Sequence, residues 1–347
     1  MEKSIVKSRV FLFSAALPVL TLAAVPVAAQ SVADFYRGKT ITMAVGTSPG
    51  GDYDLRMRMV GRHISRHIPG NPTIVPTNMP GAGQMLVANW LANVAPKDGT
   101  AIVALSQNMA VNQATGASGV KYDVRQFNWI GNTTDSPNVI NSWHTSGIKT
   151  IQDVMQRELV VGATGIASGS YLYPYALNQL VGTKFKIVTG YPGGNDINLA
   201  MERGEVGGRG SNSWASWKST RPQWLAEKKI NILVQVGIKR NPELPDVPTM
   251  QDLGKNELDK RVLTFISVDS AISRPLVTSP GVPRERVEAL RRAFDATMKD
   301  PAFLAEAENS KTDINPMTGE EAQKIAEATI STPPEVLARA NALIEGK

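Results

Sequence analysis

Short apolar runs alternate with longer amphipathic stretches along most of the chain. Thr40-Ile41-Thr42-Met43-Ala44-Val45 predicts a buried strand, and a helix is expected over 54–67. The apolar positions Tyr53, Met57, Val60, Ile64 and Ile68 recur at helical spacing and are expected in the core. Ala101-Ile102-Val103-Ala104-Leu105, Leu159-Val160-Val161-Gly162 and Phe185-Lys186-Ile187-Val188-Thr189 predict further strands. So do Asn231-Ile232-Leu233-Val234-Gln235-Val236 and Val262-Leu263-Thr264-Phe265-Ile266. Helices are expected over 84–91, 170–181, 196–203 and 283–299, the last with Val287, Leu290, Ala293, Phe294 and Met298 on one face. This alternation predicts an α/β fold with helices packed on largely parallel sheets.

The first thirty residues break the pattern. Lys3, Lys7 and Arg9 precede an apolar stretch that ends in the small residues Ala28 and Ala29. That is the design of a secretory signal peptide, residues 1–29, cleaved after Ala29, and it predicts a periplasmic protein. The 347 residues exceed what a single core usually organises, so two lobes are expected. Boundaries are placed near 131–137 and 246–254. The first lobe is then discontinuous, 30–131 plus 253–347, and the second is 132–252. A cleft between lobes is the default ligand site.

Composition narrows the function. The net charge of +6 falls to +4 once the leader's net +2 is removed, and no dense basic run is interleaved with aromatics. Nucleic acid is therefore disfavoured as a partner. The absence of Cys excludes disulfides, Cys-ligated metals and thiol catalysis. His63 and His67 are four apart, but no Glu follows the first, and Arg62 and Arg66 flank them. They are expected to be surface or interlobe histidines, with no metal or cofactor. Asp54, Arg58, Arg62 and Arg66 are expected on a solvated, salt-bridged face. Trp214, Trp217 and Trp224 are expected to pack within a lobe, with an aromatic ligand wall as the alternative.

Four Gly-rich segments carry candidate chemistry. Gly46-Thr47-Ser48-Pro49-Gly50-Gly51-Asp52-Tyr53 leaves a predicted strand and opens a helix, where unpaired N–H groups can receive an anion. The design recurs at Thr164-Gly165-Ile166-Ala167-Ser168-Gly169-Ser170 and at Gly193-Gly194-Asn195-Asp196. A fourth loop is expected at Gly207-Gly208-Arg209-Gly210-Ser211-Asn212. Ligands of open α/β sheets sit beyond the carboxyl ends of strands, so these turns should converge on one cleft. The candidate substrate-binding set is Ser48, Pro49, Gly50, Gly51, Asp52 and Tyr53 in the first lobe, with Gln107. The second lobe adds Thr164, Ala167, Ser168, Gly169, Ser170, Asn195, Asp196, Arg209, Ser211 and Asn212.

Two motif matches fail on physical grounds. Gly46-Thr47-Ser48-Pro49-Gly50 has the form of a nucleophile elbow, but Pro49 has no N–H to supply the oxyanion hole. No catalytic residue is therefore assigned. Gly81-Ala82-Gly83-Gln84-Met85-Leu86 lacks the third glycine of a dinucleotide fingerprint, and Pro76 and Pro80 argue against a preceding strand.

The chain resembles the Bug (TctC-like) family of extracytoplasmic solute receptors, the binding components of tripartite tricarboxylate transporters. The matching pieces are Pro49-Gly50-Gly51 with Asp54 and Arg58, Asn78-Met79-Pro80-Gly81-Ala82-Gly83, and Pro96-Lys97-Asp98-Gly99-Thr100. Leu244-Pro245-Asp246-Val247-Pro248-Thr249 and Pro280-Gly281-Val282-Pro283 follow in the same order. The resemblance implies a two-lobe periplasmic-binding (Venus flytrap, type II) fold closing on a small organic carboxylate. It implies that backbone amides of the turns after the first strand and in the second lobe meet the carboxylate. It also implies a monomer that delivers its ligand to a permease of one large and one small subunit. A ligand-presenting sensor and an exported enzyme are the alternatives. Asp52 and Tyr53 depart from the family pattern. A carboxylate beside an anion pocket should repel a second negative charge, so a monocarboxylate is expected, with Tyr53 and a Trp available to stack on an aromatic one.

Overall fold

The apolar runs become the strands of two sheets. In chain order the strands are β1 Thr40–Val45, β2 Thr73–Asn78, β3 Ala101–Ala104, β4 Asn128–Asn132, β5 Asn138–Trp143 and β6 Leu159–Gly162. They continue as β7 Phe185–Val188, β8 Gly208–Ser213, β9 Ile230–Val236, β10 Pro275–Thr278 and β11 Met317–Thr318. The computed structural model describes residues 1–2 and 30–344. The signal peptide and its cleavage site lie outside the described residues, and the described residues from Val32 onward form one unit. Among the described residues, no helix is long and apolar enough to cross a membrane.

The first sheet has the order β11-β4-β10-β3-β1-β2 and the second β7-β6-β8-β5-β9. Both are mixed rather than largely parallel. β1 is parallel to β2 and β3, whereas β10 is inserted antiparallel between β3 and β4. In the second sheet β6 is parallel to β7 and β8, while β5 runs antiparallel to β8 and β9. Each sheet with its helices forms one lobe of a two-lobe α/β fold. Among the described residues, three segments link the lobes, 133–137, 268–274 and 331–333. The first two are tied together: Ser136 N–H donates to Ser273 Oγ at 3.0 Å, and that hydroxyl donates to Ser136 O at 2.7 Å.

The helix Asp52–Ile64 buries Met57, Val60 and Ile64 against the first sheet, with Ile68 beside them. The helix Arg284–Thr297 buries Val287, Leu290, Ala293 and Phe294. The Phe294 ring fills the space where a Cβ on Gly131 would sit, so only glycine fits that position of β4.

Several expectations fail for identifiable reasons. Residues 262–266 are helical, inside Glu257–Ser267, because Asn256 caps Asp259 N–H and Val262, Leu263, Phe265 and Ile266 share one buried face. That helix and Pro334–Ile344 pack into the core of the second sheet. A strand does precede Gly81: β2 tolerates Pro76 because it is the edge strand, with no neighbour requiring its N–H. Residues 208–212, expected in a loop, belong to strand β8.

Asp54 is buried, accepting from Gly50 N–H, Arg58 and Asn78, so it is no solvated residue. Arg62 and Arg66 do lie on the surface, paired with Glu306 and Asp300. His67 lies at the surface, partly exposed as expected, whereas His63 is buried beside it. Both are held within the first lobe by Glu306 and Asp300, at 2.7 and 2.8 Å. Among the described residues, no cluster could hold a metal ion.

Candidate functional site

A cleft of about 760 Å³ lies where the two sheets face each other. The first lobe contributes the turn after β1, with Thr47, Gly50, Gly51, Asp52 and Tyr53, and the loop after β3, with Ser106, Gln107 and Asn108. The second lobe contributes Thr164, Ser168, Gly169 and Ser170 after β6, and Gly194 and Asn195 after β7. Arg209, Ser211 and Asn212 line it from β8. The expected turns therefore converge, and β8 joins them as a strand.

Four expected residues stand outside the lining. Ser48 and Asp196 join the lobes: Ser48 Oγ donates to Asp196 Oδ2 at 2.6 Å, and Ser48 N–H to Pro192 O at 3.3 Å. Pro49 is exposed beside them. Ala167 is buried, and its carbonyl accepts from Asn112 Nδ2 of the first lobe at 2.7 Å. Gly83 and Gly165 also meet across the lobes. A Cβ on Gly165 would lie 2.7 Å from Gly83 N, and one on Gly83 would lie 2.7 Å from Ser168 N.

Helix N-termini enter the site unequally. The helices Asp52–Ile64 and Gly194–Glu202 begin at Gly51 and Gly193 with no side-chain cap, so their leading N–H groups keep partial positive charge at the cleft. The helix Gly169–Leu180 differs: Gly169 N–H donates to Asn108 Oδ1 at 3.0 Å. Thr164 N–H is likewise occupied by Ser170 Oγ at 3.1 Å. Gly169 has a packing role too, since a Cβ there would lie 2.7 Å from the Tyr173 ring.

Three charged side chains line the cleft. Arg274 was not anticipated, because it lies 222 residues from its partner Asp52. Asn132 Oδ1 at the end of β4 accepts from Arg274 N–H at 2.8 Å and fixes the backbone. Arg274 Nε then donates to Asp52 Oδ2 at 2.6 Å, and its guanidinium lies 4.0 Å from the Tyr53 ring centre. Burial opposes the Asp52 charge, but Arg274 and Arg56 outweigh it and hold the carboxyl below the usual range. The expected repulsion of a second negative charge by Asp52 therefore fails, because that charge is neutralised.

Arg209 is the opposite case. Among the described residues, no carboxylate forms an ion pair with it and its Nε, fully buried, has no partner. Nη1 donates to Asn198 Oδ1 at 3.1 Å, and the guanidinium lies 5.5 Å from the Trp217 ring centre. Burial first, and Arg274 second, push its pKa down to about 9. Gly194 makes room for it, since a Cβ there would collide with the guanidinium. A half-buried cation without a counter-ion is a site for an anion. Four further buried polar atoms of lining residues have no protein partner: Thr47 Oγ1, Gln84 Oε1, Asn138 Nδ2 and Asn212 Nδ2. Gln84 escaped notice because its signal is conformational. It adopts φ +76° at the start of a helix, a backbone region that non-glycine residues rarely occupy.

Behind the cleft lies a buried junction. Asp269 accepts from Tyr173 Oη at 2.8 Å, from Gln107 Nε2 at 3.3 Å and from Asn108 Nδ2. Burial pushes its pKa up to about 7 against these donors. Trp217 and Trp224 pack with Trp143 inside the second lobe, and among the described residues no Trp lines the cleft. These Trp residues thus pack within a lobe, as expected, rather than form a ligand wall.

Residues 57–345 match the model of the tripartite tricarboxylate transporter family receptor, TctC. The chain belongs to the TctC family. That family comprises solute receptors rather than enzymes. This TctC-family chain is 27% identical over 289 residues to a UPF0065 protein of Cupriavidus necator, covering 81% of this chain and 82% of the relative. Its fold is similar to that of the periplasmic binding protein BugD, with TM-score 0.70, 19% identity, and coverage of 88% of this chain and 98% of BugD. It is also similar to MatC from Rhodopseudomonas palustris, solved with bound malate: TM-score 0.68, 18% identity, coverage 88% and 99%.

Proposed function

We propose that this TctC-family receptor captures a small organic carboxylate between its lobes and delivers it to a tripartite tricarboxylate-type membrane transporter. The observation that carries this is Arg209, a cation in the cleft with no carboxylate paired to it among the described residues. An anionic ligand would supply the missing charge, and the uncapped helix starts at Asp52 and Gly194 would add to the attraction. MatC, bound to malate, supports a carboxylate as the ligand class. The interlobe bonds of Ser48 and Ala167 would hold the closed form that a permease of one large and one small subunit recognises. Export as a monomer, with cleavage after Ala29, completes the reading.

Calorimetric titration of residues 30–347 against mono- and dicarboxylates tests the capture step. At least one carboxylate should bind saturably, and Arg209→Gln should weaken it at least tenfold. Uptake of that ligand by the source cells should be lost on deletion of the gene. Unchanged uptake would overturn delivery to a transporter.

A further inference from the structure

The cleft lining is chemically one-sided. Sixteen of its twenty-five residues are Ser, Thr, Asn or Gln, so the ligand meets amides and hydroxyls on nearly every side. Among the described residues, Ile197 is the single aliphatic side chain beyond glycine and Tyr53 the single aromatic one. The Tyr53 ring is already faced by the Arg274 guanidinium. A flat apolar sugar face would therefore find no free ring.

The charges divide as sharply. Asp52 is shared by Arg274, which lines the cleft, and by Arg56, which lies behind it and does not. Arg209 is the lining cation that no carboxylate pairs with among the described residues, so a ligand carboxylate has a partner there. The remaining orphaned atoms are neutral and of both kinds. Asn138 Nδ2 and Asn212 Nδ2 donate, Gln84 Oε1 accepts, and the Thr47 hydroxyl does either. A plain methylene chain would leave all four buried and unpaired. A hydroxyl donates and accepts at once, so a ligand with several hydroxyls answers both kinds of group.

We infer that the cleft takes an open-chain, polyhydroxylated monocarboxylate of the aldonic-acid class. Its carboxylate pairs with Arg209, and its hydroxyls engage Thr47, Gln84, Asn138 and Asn212. This rests on the reading of the chain as a carboxylate receptor.

Calorimetry on the purified protein with three series of equal carbon number is the test. The series are aldonates (glycerate, threonate, xylonate, gluconate), the unsubstituted monocarboxylates, and the α,ω-dicarboxylates. One aldonate should bind about 100-fold more tightly than both counterparts of its length, because a site built for hydroxyls rejects analogues that lack them. Asn212→Ala should lower that affinity about tenfold and leave the unsubstituted acid unchanged. A dicarboxylate or unsubstituted acid that binds as tightly as every aldonate overturns the inference and leaves the carboxylate receptor standing. Failure of all three series to bind overturns both. The ranking on the unmodified protein decides this without any variant.

Discussion

Replacing Arg209 by Met should make the ligand-free protein more stable while destroying its binding. The drop in the Arg209 pKa from 12.5 to about 9 measures what holding the charge in the fold costs. At about 1.4 kcal/mol per unit this is at most about 5 kcal/mol, and about half of that once exposure of the side chain to the cleft is allowed for. Losing the Asn198 bond and the contact with the Trp217 face takes back about 1–2 kcal/mol. The net expectation is a gain of about 1 kcal/mol, or about 1.5 °C in Tm for a chain of this length. Since the folded pKa is depressed below the unfolded value, the penalty is fully present below about pH 9 and is relieved only as pH rises through it. The difference between the two proteins should therefore be flat from pH 6 to 8. Urea unfolding and thermal melts of both proteins without ligand provide the assay, with calorimetry for binding. A variant less stable than the parent, or one that keeps carboxylate affinity within threefold, would refute the reasoning.

Asp269 should make stability depend on pH. Its pKa is raised from 3.8 to about 7, so the folded state holds a proton that the unfolded chain has lost; stability is fully present below the unfolded value and is lost as pH rises through about 7. This group alone should add about 2 kcal/mol at pH 5.5 relative to pH 8, and Asp269→Asn should remove that slope in urea melts. Gly194→Ala should push the Arg209 guanidinium aside and weaken ligand binding at least tenfold, with circular dichroism unchanged, since the colliding group is the end of a flexible side chain. Gly83→Ala adds a Cβ 2.7 Å from Ser168 N at φ +64°, so small-angle scattering should report lobes held further apart and calorimetry a weaker ligand.

The amino-acid pattern reveals those elements whose burial is apolar. β1, β3, β6, β7 and β9 are runs of aliphatic residues and are read directly. β8 is Gly-Arg-Gly-Ser-Asn-Ser and carries no such signal: one of its faces is the polar cleft, and Gly210 lies against the backbone of Ser170. Residues 262–266 mislead in the other direction, because five consecutive residues rich in apolar side chains suit either a strand or the buried face of a helix. In the site, the glycine turns were legible because their composition encodes a backbone shape. The pairing of Asp52 with Arg274 was not, because it depends on β10 being laid between β3 and β4. The role of Asp52 in the charge balance of the cleft turned on that one long-range contact.

The placement of β10 also sets a schedule. Residues 275–278 fill the gap between β3 and β4, and Arg274 at their edge completes the cleft. A growing chain that has emerged only as far as β9 holds the whole second sheet, yet β3 and β4 still face each other across a missing strand. Capture of ligand must therefore wait until most of the polypeptide has been made. An unfinished receptor occupies no ligand, and truncation products that stop short of residue 274 cannot compete with the complete protein for it.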